Sequence, residues 1–315
     1  MKSFIFVVSC AVFSFLITPV VVFAQSDNSP KKLLEALAKR DFRHATDLAK
    51  TVDNPDFSDK SGATLLMCSA ETGAKDVCRA LLDRGAACNL KSANGTTALY
   101  VASQNGHTEV VSLLLEKGAA TDLPSDNGAT PLIAASQFGY TEIVTLLTDR
   151  GAATDLQDSH GSTALIMASQ NGNPDIVKIL VAKGADPDIR DHNGSTALIL
   201  AAQEGNGEVV RILLENGADA NIQTINGNTA LILASLIGQR DEVQLLLDKG
   251  VLVDLKTNTG ATALFAAASR GHSGIVTMLL ERGSDPLTAD KDGRTAFYYT
   301  KDYNVRAVLT AWSKK

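Results

Sequence analysis

The sequence predicts an all-α solenoid built from stacked helix-turn-helix units with β-turn fingers between them. Three observations carry that prediction. The pattern Gly-x-Thr recurs at Gly62, Gly95, Gly128, Gly161, Gly194, Gly227, Gly260 and Gly293, a constant step of 33 residues. Between these marks the apolar residues keep helical spacing. The second unit has Leu99, Ala102 and Ser103 on a first helix, then Val110, Val111, Leu113, Leu114 and Leu115 on a second. All but Gly207 and Gly274 of the 24 glycines fall on three phases of the period, so an average glycine content conceals strict order. One helix pair cannot bury such a stripe alone, whereas stacked neighbours can. The 315 residues therefore form one elongated domain rather than the two their length suggests.

Taken in order, residues 1–24 read as a cleaved secretory signal. Met1-Lys2-Ser3 is a basic start, Phe4 to Ile17 is an apolar run, and Val22-Phe23-Ala24 before Gln25 fits a small-residue cleavage site. The alternative is an uncleaved anchor, since Phe4 to Ala24 approaches the roughly 20 residues that span a bilayer. Cleavage would leave an exported chain, periplasmic or secreted. Residues 25–30 form a short linker. Residues 31–58 read as an N-terminal capping helix pair, with Leu33 in phase with Leu66, Leu48 in phase with Leu81, and Arg40 where the phase has glycine.

Seven full units follow over residues 59–289. Each opens on a turn glycine, where a positive φ is cheap only without a Cβ. Two residues later a threonine (Thr64, Thr97, Thr130, Thr163, Thr196, Thr229, Thr262, and Thr295 in the last unit) is placed to cap a helix. Pro131 directly after Thr130 supports this, because proline is tolerated at the first helical position. Further glycines, Gly73 through Gly271 and Gly85 through Gly283 at the same period, end the two helices at C′. Residues 290–315 form a C-terminal cap, which in a solenoid is expected to turn a polar face to water.

The unit resembles the ankyrin repeat, a turn followed by two antiparallel helices with the pattern D-x-x-G-x-T-P-L-H, then A-A-x-x-G-H, an apolar second helix and G-A-D. Asp290 to Thr295 and Asn105 to Ala119 follow it closely, and eight units keep its register. The Thr-Ala-Leu-apolar variant resembles arrays found in bacteria. Two departures are systematic. The family's proline survives only as Pro131, and its histidine is replaced by Met67, Tyr100, Ile133, Ile166, Ile199, Ile232, Phe265 and Tyr298. Apolar contact between neighbouring first helices is expected in place of histidine hydrogen bonds.

Composition narrows the function. A formal net charge of −6 and 5% aromatic residues argue against nucleic-acid binding, which needs basic surface and stacking platforms. No G-x-S-x-G, phosphate-cradling glycine loop or H-E-x-x-H occurs, so the expectation is a non-enzyme without cofactor or metal. His160, His192, Asp158 and Asp191 are the best metal candidates, but they sit on turns of adjacent units and read as solvated loop residues. His107 and His272 read as helix-start residues. Asn94-Gly95-Thr96 and Asn193-Gly194-Ser195 fit an N-glycosylation pattern and read as turn pairs. Cleavage would remove Cys10 and leave Cys68, Cys78 and Cys88, whose spacing matches no zinc pattern; they read as apolar core thiols.

The resemblance implies a protein partner, gripped by turn tips and the exposed side of each first helix. By phase, those helix positions are Glu71 and Thr72, Gln104 and Asn105, Gln137 and Phe138, Gln170 and Asn171, Gln203 and Glu204, Leu236 and Ile237, then Ser269 and Arg270. Four consecutive units present glutamine, either as a solvated row or as contacts. The sixth unit breaks the row with Leu236 and Ile237, joined by Ile225 on its turn and Leu233 one helical turn away. Phe138 is a second anchor. The expected function is non-catalytic protein binding by a monomer, with no membrane contact after signal cleavage. The alternatives are a secreted effector that binds a host protein and a membrane-tethered scaffold. A small-molecule pocket is less natural on an open strip.

Overall fold

The computed structural model describes residues 29–314. Its helices pair as the period predicts. An N-terminal pair, α1 (Ser29–Ala38) and α2 (Phe42–Ala49), precedes seven units: α3 (Leu65–Glu71) with α4 (Lys75–Asp83), α5 (Ala98–Gln104) with α6 (Thr108–Glu116), α7 (Pro131–Gln137) with α8 (Thr141–Asp149), α9 (Ala164–Gln170) with α10 (Pro174–Ala182), α11 (Ala197–Glu204) with α12 (Gly207–Glu215), α13 (Ala230–Ile237) with α14 (Arg240–Asp248), and α15 (Ala263–Arg270) with α16 (Ser273–Glu281). The last unit holds α17 (Ala296–Tyr299) and α18 (Tyr303–Trp312). The signal segment 1–24 and most of the linker lie outside the described residues; the linker's last two residues belong to α1.

The threonines explain where the first helices begin. At Thr64, Thr97, Thr130, Thr163, Thr196 and Thr229 the hydroxyl accepts the amide of the third helical residue. Thr262 and Thr295 keep the extended backbone of a cap but make no such bond, so the expected cap is missing in the last two units. The phase glycines all adopt positive φ. Arg40 keeps that left-handed geometry at φ 55, the one non-glycine residue among those described that does so.

First helices stack on first helices and second on second, each in contact with its neighbours along the array. One continuous apolar cluster runs from Leu33 to Leu309. Met67, Tyr100, Ile133, Ile166, Ile199, Ile232 and Phe265 are all buried, so apolar packing does fill the family's histidine position. Tyr298, on the same phase, is 65% exposed, since among the described residues no unit stacks against it, and Tyr303 on α18 is 83% exposed. The C-terminal face is therefore decked with tyrosine rather than uniformly polar.

Hydrogen bonds repeat with the period. Each finger tip donates its amide to the preceding tip's carbonyl, as in Ala93 to Ser61 at 2.7 Å, His192 to His160 at 2.9 Å and Ile225 to Asn193 at 2.9 Å. A second ladder joins an Asp or Asn carboxyl or amide oxygen to the next unit's backbone amide, from Asp56 and Ala87 at 2.8 Å to Asp254 and Asp285 at 3.3 Å. Helix-start residues cross units as well. The His107 Nε2 lies 2.8 Å from the Glu71 carbonyl, and Asn206 Nδ2 donates to the carbonyls of Ser169 and Gln170 at 3.0 and 3.1 Å. Each satisfies a carbonyl left open at the end of the previous first helix. An inter-unit side-chain bond thus survives in the chain, moved to the start of the second helix.

Candidate protein-binding groove

Helical periodicity separates the two candidate positions in the second to sixth units. Gln104, Gln137, Gln170 and Gln203 end or nearly end their helices and are half-buried, whereas the residues after them look outward: Asn105, Phe138, Asn171 and Glu204. Ile237 and Arg270 continue the outward row, whereas in the first unit Glu71, on the glutamine phase, is exposed and Thr72 half-buried, and in the seventh Ser269 is exposed beside Arg270. This row, rather than the glutamines, is the exposed edge of the strip. It is polar or charged except at Phe138, 43% exposed, and Ile237, 48% exposed. The Phe138 ring lies 6.3 Å from that of Tyr140, tilted by 32°.

In the sixth unit the four apolar candidates separate by burial. Ile225 stands on the finger tip, 64% exposed, with its amide tied to Asn193 and its carbonyl accepting Asn258 Nδ2 at 2.8 Å. Leu236 and Leu233 are half-buried and pack against the core. Leu233 also shares its phase with Cys68, Val101, Met167 and Leu200, which pack the same way, so it belongs to an apolar floor running along several units. Val101, Met167 and Leu200 are floor residues that the sequence reading passed over. The period could have found them, since each lies a multiple of 33 from Leu233. What sets the sixth unit apart is Ile237 and Ile225, with Leu236 supporting from beneath.

The metal candidates serve their turns. Asp158 Oδ1 accepts the amides of His160 and Ser162, both at 2.8 Å, and Asp191 Oδ1 accepts those of Asn193 and Ser195 at 2.8 and 2.7 Å. Carboxylates so engaged shape the finger tips.

The thiols behave as core groups to different degrees. Cys78 is buried, and burial pushes its thiol up to about 12; desolvation does the same to the half-buried Cys68, also to about 12. Burial raises Cys88 too, and its Sγ donates to the Lys117 carbonyl at 3.5 Å.

Charged pairs lie at the far ends of the second helices. Lys117 with Asp83, Lys183 with Asp149 and Arg282 with Asp248 bridge adjacent units at 2.7, 2.7 and 2.6 Å. The hydrogen bond from Lys117 holds the Asp83 carboxyl below its usual range, and Arg282 does the same for Asp248. Such exposed pairs add little stability. Among the described residues no helix is long and apolar enough to cross a membrane.

A repeated pair of antiparallel helices, joined by finger turns and presenting a continuous strip of first-helix ends, defines an all-α repeat solenoid. The chain matches the family model described as ankyrin repeats (3 copies) in overlapping segments 21–124, 84–158, 118–191, 147–224, 198–290 and 241–305, and it belongs to the ankyrin repeat family. Members of that family are generally protein–protein interaction modules, and the fold is typically non-catalytic. No curated protein matches the chain.

Proposed function

We propose that this array binds a protein partner through its strip of first-helix ends and finger tips, centred on the sixth unit. The observation that carries the reading is the exposure of Ile237 and Ile225 at positions where most other units present polar or charged residues. Exposed apolar side chains on a solvent face mark contact sites, because their burial by a partner is where association gains most. The half-buried floor of Val101, Met167, Leu200 and Leu233 and the second anchor Phe138 extend the surface toward earlier units. Gln104, Gln137, Gln170 and Gln203 lie between floor and edge and supply adaptable hydrogen bonds. Three to five units provide the roughly 800 Å² per side of a standard interface. Mechanistically this is rigid complementarity, in which the stacked core fixes the strip and the residues on it select the partner.

Burial decides the test. Leu236→Glu would place a charge against the core and confuse unfolding with lost binding, so the informative variant is Ile225→Glu with Ile237→Glu. Affinity capture from the native compartment should lose the partner with this variant, while circular dichroism and melting stay unchanged. Equal capture by variant and wild type would remove the sixth unit from the interface.

The partner is met in the periplasm or outside the cell in this reading, since the basic start, apolar run and Val22-Phe23-Ala24 support export. N-terminal sequencing of the protein from its native source should begin at Gln25; a start at Met1 would instead point to a tethered scaffold.

A further inference from the structure

Eight asparagines stand directly before a glycine, a pair with its own chemistry. Glycine has no Cβ beside its amide, so that nitrogen can approach the side-chain carbonyl carbon of the asparagine. Six of the eight side chains are held by a hydrogen bond. Asn105, Asn171 and Asn216 donate Nδ2 to the carbonyl four residues earlier at 2.8, 2.9 and 2.8 Å, and Asn206 donates to two carbonyls of the preceding unit. Asn94 Oδ1 accepts the hydroxyls of Ser92 and Thr96, and Asn127 Oδ1 accepts the Ser125 hydroxyl at 2.5 Å and the Ala129 amide at 3.3 Å. The other two, Asn193 and Asn226, are exposed on the finger tips of the fifth and sixth units, and no hydrogen bond among the described residues holds either side chain.

Among the finger tips, the residue two positions earlier makes the difference. Ser92, Ser125, Asp191 and Thr224 share one phase of the period. A serine hydroxyl has a proton to give to the asparagine, whereas a carboxylate only accepts. Asp191 Oδ1 takes the amides of Asn193 and Ser195 at 2.8 and 2.7 Å, and the Thr224 hydroxyl takes the Asn228 amide at 3.1 Å. The glycine amides do not discriminate. Gly194 and Gly227 donate to the carbonyls of Asp191 and Thr224 at 2.9 Å, but Gly95 and Gly128 make the same turn bond at 2.9 and 2.8 Å. Both unheld asparagines adjoin the exposed Ile225: the Asn193 carbonyl accepts its amide at 2.9 Å, and Asn226 follows it in the chain.

We propose that Asn193 and Asn226 are sites of spontaneous deamidation, which turns the neutral finger tips around Ile225 acidic. The amide nitrogen of Gly194 or Gly227 loses its proton to water and attacks Cγ of the asparagine before it. The bond from Cγ to Nδ2 breaks, and the leaving nitrogen takes a proton from water and departs as ammonia. One water molecule then adds across either ring carbon–nitrogen bond of the cyclic imide, giving aspartate or isoaspartate. Nothing is oxidised or reduced, and water is the co-reactant. Each event sets a carboxylate beside Ile225, and isoaspartate also adds a methylene to the backbone that carries the finger ladder. On the reading of the sixth unit as the docking region, on which this consequence alone rests, ageing of the chain weakens the apolar contact.

The experiment incubates the purified chain at mildly alkaline pH, where the glycine amide is more readily deprotonated, and follows each Asn-Gly pair by mass-spectrometric peptide mapping. Asn193 and Asn226 should convert about fivefold faster than the six held pairs, the factor set by one net hydrogen bond. In the urea-unfolded chain that lead should vanish. Exchanging the controlling residues tests the cause with residue types the phase already accommodates. Asp191→Ser should slow Asn193 about fivefold, and Ser125→Asp should speed Asn127 by about the same factor. Conversion of Asn193 and Asn226 no faster than the held pairs in the folded chain, an undiminished lead in urea, or rates unmoved by both exchanges would overturn the proposal. Partner capture separates it from the docking reading, with Asn193→Asp and Asn226→Asp together carrying the product charge. If that variant captures the partner as the wild type does while Ile225→Glu with Ile237→Glu loses it, the consequence for docking falls. If both variants capture it, the groove falls; in either case the conversion rates decide the modification sites.

Discussion

The fourth and sixth units share one frame and use it differently. In the fourth, Ile176 fills the core phase of the second helix, Asn171 stands in the exposed row and Thr163 caps the first helix. In the sixth, Thr229 caps in the same way, yet the core phase holds Glu242 and the exposed row holds Ile237. An acid has moved inward and an aliphatic residue outward. Neither exchange helps the array to stack, because each trades a favourable environment for a worse one. A stacked array gives each unit the same packing problem, so residues that solve it worse than their neighbours point to a requirement other than folding.

The comparison can be broken most directly in the fourth unit's core. Leu165→Ala, at a fully buried position, should cost about 3 kcal/mol in urea unfolding by the transfer and cavity terms. An effect below about 1 kcal/mol would mean that the regular units are not the stabilising frame. Next in size and opposite in sign, Glu242→Ile should stabilise the protein by about 1 kcal/mol, since it restores the aliphatic residue type of six other units at a position only 6% exposed. A neutral or destabilising result would mean that this phase does not demand an aliphatic side chain in the sixth unit. The smallest effect contrasts two caps. Thr163→Ala should cost about 1 kcal/mol, whereas Thr262→Ala, which breaks no cap hydrogen bond, should cost less than about 0.5 kcal/mol. Equal losses would mean that the threonine acts through packing rather than through its hydroxyl.

Much of this was legible in the residues. The 33-residue step, the glycines and the threonines placed the helix pairs from α3 onward, because each mark answers a local backbone requirement that does not depend on distant partners, and the phase of Leu33 and Leu48 pointed to the pair before them. The replacement of the family's histidine by apolar residues also read correctly, since a phase that is aliphatic or aromatic in every unit has to be buried. The candidate groove was less legible. Gln104 and Asn105 differ by a single residue, and helical rotation, not residue type, makes one half-buried and the other exposed. Leu233 looked special beside Ile237, but repetition of its phase at Val101, Met167 and Leu200 shows it to be floor. Glu242 was missed because an acid near a helix start reads as surface, and only its phase identifies it as core. Tyr298 and Tyr303 escaped for the opposite reason: the period placed Tyr298 on a core phase, and only the structure shows it exposed.

The sequence alone determined the number, length and order of the units, since turn glycines, cap threonines and apolar spacing are local rules repeated along the chain. Tertiary structure decided which outward residues meet water and which are covered by the unit beside them. It also brought Gly207 against Glu242 across a unit boundary. That juxtaposition depends on the stacking of α12 on α14, a relation between residues 35 apart that no local rule encodes.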